Sequence, residues 1–167
     1  MRMEHLILVA MWLFGILASI LFIPAKDRRK GFFAFLMFQA IIWLCDMPSF
    51  KYGLFSAPVR ELPKATDLPL TIDYFFYPVW FAIFYIHKRV QANLLSRMTY
   101  FFVWVSVITL FDIVLERYTD LIEYETVPWY GMWIYIVILF FVSQVCCNWF
   151  FKDQTLFQAE LEQANEN

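Results

Sequence analysis

The sequence predicts an all-α polytopic membrane protein with about five transmembrane helices, its N-terminus outside and its C-terminus in the cytoplasm. Three observations lead there. The 167 residues are 62% apolar and 22% aromatic, with a mean hydropathy of +0.58, where soluble domains sit near half apolar. The apolar excess is gathered into runs of membrane-spanning length. The Lys and Arg residues cluster between those runs. A single transmembrane domain over residues 1–151 and a short cytoplasmic tail over 152–167 account for the whole length.

The first run, Leu6–Ile23, has 18 residues and is closed by Pro24. It is longer than the apolar centre of a signal peptide, its basic cluster follows it, and no A-x-A site is present, so it reads as a retained span. The second, Phe32–Met47, has 16 residues, carries Gln39 and Asp46, and is short enough that it should run on toward Phe50. The outer connection over 48–67 is punctuated by Pro48, Pro58 and Pro63, which deny it a continuous helix. Phe50–Phe55 mixes aromatics with Lys51 and reads as a short re-entrant or surface-lying piece. The third run, Leu68–Ile86, holds Pro69, Asp73 and Pro78. The fourth, Met98–Leu115, holds Asp112, and the fifth, Trp129–Phe151, holds Gln144 and Asn148 near its end. In the tail, Leu156, Phe157 and Leu161 stand at helical spacing and predict a short cytoplasmic helix that frays at its end.

Orientation follows from the basic residues. Lys26, Arg28, Arg29, Lys30, Lys88, Arg89, Arg97 and Lys152 share one side, against Arg2, Lys51, Arg60, Lys64 and Arg117 on the other. The richer side is cytoplasmic, in a plasma membrane. Trp43, Trp129 and Trp149 sit where an interfacial aromatic belt would be. A net charge of −2 without a basic stripe excludes nucleic-acid partners. Cys45 lies near the opposite end of the membrane from Cys146 and Cys147, and adjacent cysteines are too strained to pair. His5 and His87 fall on opposite sides, so no metal set is expected. Four glycines build no phosphate loop. Ser106 and Ser143 lack a nearby base and are expected to bond their own helix backbones. No cofactor is implied.

What remains is acidic. Ten of the fifteen carboxylates fall on the outer side: Glu4, Asp46, Glu61, Asp67, Asp73, Asp112, Glu116, Asp120, Glu123 and Glu125. Asp112 and Glu116, spaced i and i+4, share one helix face. Asp46 and Asp73 are expected at the same level. Ionisable groups at membrane depth are functional candidates, so Asp46, Asp73, Asp112 and Glu116 define a polar pocket near the outer leaflet. It would take a cation, a cationic head group, a small polar ligand or a proton. The competing reading pairs the acids with Arg60, Lys64 and Arg117 as plain structure. That pocket reads as part of a binding, transport-accessory or envelope-associated protein, and two further functions fit the same residues. One is a membrane enzyme acting on a lipid or envelope precursor through paired carboxylates. The other is a structural subunit packed on a membrane-protein partner or a second copy.

Two stretches carry a resemblance. Asp67-Leu68-Pro69-Leu70-Thr71-Ile72-Asp73-Tyr74-Phe75-Phe76-Tyr77-Pro78 is one, and Glu116-Arg117-Tyr118-Thr119-Asp120-Leu121-Ile122-Glu123-Tyr124 followed by Trp129-Tyr130 is the other. Over roughly 32–150 the chain resembles a family of small, uncharacterised multi-pass membrane proteins of spore-forming Gram-positive bacteria. The resemblance implies about five helices and no established activity, and it carries over no catalytic residue. It adds Tyr124 and Trp129 to the candidate pocket beside Asp73 and Glu116.

Overall fold

The computed structural model describes residues 3–59, 61, 68–88, 93–124 and 127–166, with Met3, Tyr124 and residues 153–166 described by backbone alone. The fold is all-α apart from one two-residue strand pair. Helix α1 spans Met3–Phe22, a 3-10 turn Ala25–Asp27 leads into α2 over Arg28–Lys51, and strand β1 is Phe55–Ser56. A π-helical turn, Thr71–Phe76, continues into α3 over Tyr77–His87. Then come α4 over Leu94–Tyr118, β2 over Glu123–Tyr124 and α5 over Trp129–Glu166. Four of the helices, α1, α2, α4 and α5, are long and apolar enough to cross a membrane.

The shortest helix is the centre of the bundle. Tyr77, Pro78, Val79, Phe81, Ala82, Ile83, Phe84 and Tyr85 are all buried, so α3 is covered on every side, as a helix apolar all round requires. Its neighbours each bury one stripe. On α1 the stripe is Leu8, Met11, Gly15 and Ala18, on α2 Gly31, Ala34, Phe38 and Ile42, and on α5 Met132, Ile136, Leu139 and Phe140. The 3- and 4-residue steps put each set on one helix face. Rings fill the centre: Phe38 stacks on Phe81 at 4.8 Å, and Phe140 meets Phe81 edge-on at 5.2 Å. Gly15 lets α1 approach the π-turn, because a Cβ there would stand 2.5 Å from the Phe75 ring. The outward faces of α1, α4 and α5 expose Leu, Ile, Val, Phe and Trp along their lengths, a surface far more apolar than water-soluble monomers present.

Helix α2 runs through Pro48 to Lys51, in line with the expected extension of the second run toward Phe50, so the connection begins a few residues beyond 48. Pro48 sits in the last turn, where it removes a single backbone bond and does not stop the helix. The stop comes at Gly53, whose φ of +67° is left-handed. Gly53 N donates to the Phe50 carbonyl and Leu54 N to the Ser49 carbonyl, closing the helix end. The chain then enters β1, and Phe55 pairs with Tyr124 and Ser56 with Glu123 in an antiparallel ladder. The tail is helical as expected, and it continues α5 without a break to Glu166, since no Pro or Gly follows Gly131 and Gln, Glu, Leu and Ala favour helix.

Nothing lies within 4 Å of the Cβ position at Gly53, so Gly53→Ala tests backbone conformation alone. It is expected to cost about 1–2 kcal/mol, and Gly53→Asn less, by denaturant titration of the purified protein in detergent.

Candidate functional site

The inward stripes of two helices each carry an aspartate where an apolar residue would be expected. On α2 the stripe Phe38, Ile42 continues to Asp46, and on α4 Val105, Ile108, Thr109 continues to Asp112. The third, Asp73, lies in the π-turn at the head of α3. Asp46, Asp112 and Asp73 are 3%, 0% and 5% exposed respectively, so all three carboxyls are removed from solvent. Asp46 stands five residues before the end of α2, Asp112 six before the end of α4, and Tyr135 six after the start of α5. At about 1.5 Å per residue, they share one level near one end of the bundle.

Pro78 explains the local backbone. It has no N–H to bond the Tyr74 carbonyl four residues earlier, and its ring crowds that position. The preceding turn widens into the π register, where Tyr77 N bonds the Ile72 carbonyl. The Tyr74 carbonyl is taken by Gln39 Nε2 of α2 at 2.8 Å. Trp12 of α1 donates its indole N–H to Thr71 Oγ1 at 2.8 Å and stacks on Phe75 at 4.0 Å. Glu61 Oε1 accepts from Thr71 N at 3.0 Å, an acid at a helix start where amides lack partners. Every neighbour thus fixes the turn that carries Asp73.

The polar groups converge from four elements. Tyr135 of α5 donates its hydroxyl to Asp46 Oδ1, and Tyr77 of α3 donates to Asp112 Oδ1. Asp46, Asp112 and Glu61 all lie in electrostatic reach of Asp73. The second oxygens of Asp46, Asp73 and Asp112 are buried with no hydrogen-bond partner. Between these groups is a cavity of about 20 Å³, counted as space open to the centre of a water-sized sphere, whose walls include Asp46, Asp73, Tyr77, Tyr135, Phe38 and Phe140. That holds about one water molecule. Phe55, Pro69 and Ile122 from the connections at this end also line it, and the β1–β2 ladder joins two of those connections.

The expected pocket residues separate. Asp46, Asp73 and Asp112 come together. Glu116 is half-buried one turn beyond Asp112, and Arg117 is exposed. Trp129 is 60% exposed at the start of α5 and meets Tyr130 edge-on at 5.9 Å, away from the cavity walls. Tyr124 pairs with Phe55 through its backbone. Arg60 and Lys64 lie outside the described residues. Among the described residues no lysine or arginine forms an ion pair with Asp46, Asp73 or Asp112, and no group of His, Cys, Asp and Glu is arranged to hold a metal ion.

Residues the sequence did not single out complete the cluster: Tyr77, Tyr135, Gln39, Thr71 and Trp12. The Asp73-to-Tyr77 spacing of i and i+4 was the available signal, together with the rule that buried carboxyls need donors. The serines also depart from expectation. Ser106 Oγ accepts from Trp133 Nε1 at 3.2 Å, and Ser143 Oγ is buried without a partner. The three cysteines are free thiols. The chain matches no protein-family model, no curated protein and no solved structure.

A buried carboxyl with no basic neighbour needs a proton or a cation to offset its charge. The arrangement suits holding a proton. Gln39→Leu, which strips the donor from the Tyr74 carbonyl, is expected to destabilise the protein by about 1–3 kcal/mol in reversible unfolding from detergent.

Proposed function

We propose that this chain is a five-span plasma-membrane protein, N-terminus outside, whose carboxyl cluster is an occluded proton-binding site near the outer leaflet, serving binding or transport rather than catalysis. The observation that carries this reading is one cavity lined by Asp46, Asp73, Tyr77 and Tyr135, with Asp112 bonded to Tyr77 behind its wall and no basic partner among the described residues. Unpaired buried carboxylates cost several kcal/mol each, and a proton removes that cost in the space of a single water. A small monovalent cation is the other occupant of the right size. The fifth crossing is α3 together with its π-turn, 17 continuous residues from Thr71 to His87, the lower end of spanning length. Kinship with the small multi-pass proteins of spore-forming Gram-positive bacteria is part of the proposal and rests on residues 67–78 and 116–130.

One observation favours a second reading. An apolar crevice of about 520 Å³ between α1, α3 and α4 is walled by Phe14, Phe76, Trp80 and Phe111 and shares Ile108 with the acid-lined cavity. It has room for an acyl chain, as an enzyme acting on lipid through Asp73 or Asp112 would need.

Infrared spectra of the protein in lipid at neutral pH are expected to contain a protonated-carboxyl band that disappears in Asp73→Asn and shifts in Tyr135→Phe. A spectrum with ionised carboxylates alone would sink the proton site. For orientation, Arg28→Cys and Asp120→Cys in a chain lacking Cys45, Cys146 and Cys147 are expected to react differently with an impermeant thiol reagent added outside, position 120 labelling and position 28 not. The reverse pattern inverts the topology.

A further inference from the structure

The opposite end of the bundle holds a second built pocket, of the opposite charge. It measures about 400 Å³ and is lined by Lys30 of α2, Lys88 just after α3, Lys152 of α5, and by Tyr85, Asn148 and Phe151. Lys88 is half-buried and leaves α3 where the backbone turns extended. Its ammonium lies 3.8 Å from the centroid of the Tyr85 ring and donates to Asn148 Oδ1. Both are neutral partners, so neither cancels the charge. Asp27 is the one carboxylate among the described wall residues, and it does not figure among the charges acting on Lys88.

We propose that this pocket binds the phosphate of an anionic lipid head group from the leaflet at the basic end. Lys30, Lys88 and Lys152 reach this pocket from three separate elements, and lysines so gathered suit a phosphate anion. Tyr85, Ile86 and Phe151 give the same pocket apolar walls for the glycerol and upper acyl carbons, and the exposed apolar helix faces place it beside lipid. The charge state of Lys88 agrees: burial, helped by Arg97 and Lys30 and opposed by Cys147, pulls its ammonium from the ordinary lysine range down to about 8. A bound phosphate would relieve that strain, because an opposite charge favours the ionised form.

The test is native mass spectrometry of the full chain from non-ionic detergent, supplied with phosphatidylglycerol, with phosphatidylcholine, or with inorganic phosphate. One phosphatidylglycerol retained per chain, with phosphatidylcholine not retained, is the expected result. Each lysine near an anionic surface is worth roughly fivefold in affinity. Lys30→Gln with Lys88→Gln should therefore weaken retention roughly thirtyfold. Lys30→Gln with Lys152→Gln, both exposed and harmless to the core, should give a comparable loss and guards against a misfolded Lys88 variant. Arg28→Gln with Arg29→Gln, charges outside this pocket, should leave retention unchanged. Equal retention of both lipids, or equal losses in the arginine and lysine pairs, overturns the pocket in favour of general surface attraction. Stabilisation by inorganic phosphate without lipid retention overturns the lipid as occupant and assigns the site to a soluble phosphate.

Discussion

A proline in the most buried helix organises this fold. Without an N–H, Pro78 cannot continue the α-helical ladder, and the turn before it opens into the π register. That wider turn frees the Tyr74 carbonyl, and in an apolar interior such a group must find a donor. Gln39 on α2 supplies it. Trp12 on α1 and Glu61 from the outer loop hold the same turn through Thr71. One missing hydrogen thus recruits three distant segments, and the element so held is the one that positions Asp73 and Tyr77.

The acid cluster follows from the same need for partners. Asp46 and Asp112 occupy positions on inward stripes where leucine or phenylalanine would pack without penalty, and each is met by a tyrosine hydroxyl from a facing helix. Tyrosine suits the place because its ring belongs to the aromatic core while its oxygen serves the carboxyl. The basic pocket uses the same device at the other end, where Tyr85 offers its ring face to Lys88. Acidic and basic side chains thus gather at opposite ends of the bundle, separated by a layer of rings that includes Phe38, Phe81, Phe84 and Phe140.

Helix existence was readable in the sequence because apolar run length is a direct physical requirement for spanning lipid. So was the common level of Asp46, Asp73 and Asp112, which depends only on counting residues from span ends. The strand pair beside the cavity was not readable. Strands of two residues carry no periodicity, and the Phe55–Tyr124 pairing joins segments 69 positions apart in the chain. The end of α2 was obscured by Pro48, whose effect depends on how close it stands to the last turn, and the true stop at Gly53 is a matter of φ. Glu116, Arg117 and Trp129 share helix ends with the cluster but do not line its cavity, and level along a helix says nothing of which way a side chain faces. Tyr135 looked like one more aromatic in an apolar run until the partner of Asp46 was needed.

Helix α5 has a mechanical implication. It is unbroken over 38 residues, about 57 Å at 1.5 Å per residue, nearly twice the roughly 30 Å of a bilayer core. Tyr135, which touches the acid cluster, sits close to one end of this rod, and the residues after Lys152 form the other. A rigid rod pivoting by about 5° near Tyr135 would sweep its far end through roughly 4–5 Å. Any tilt of α5 at the end that meets Asp46 would therefore be carried along one unbroken helix to the residues after Lys152.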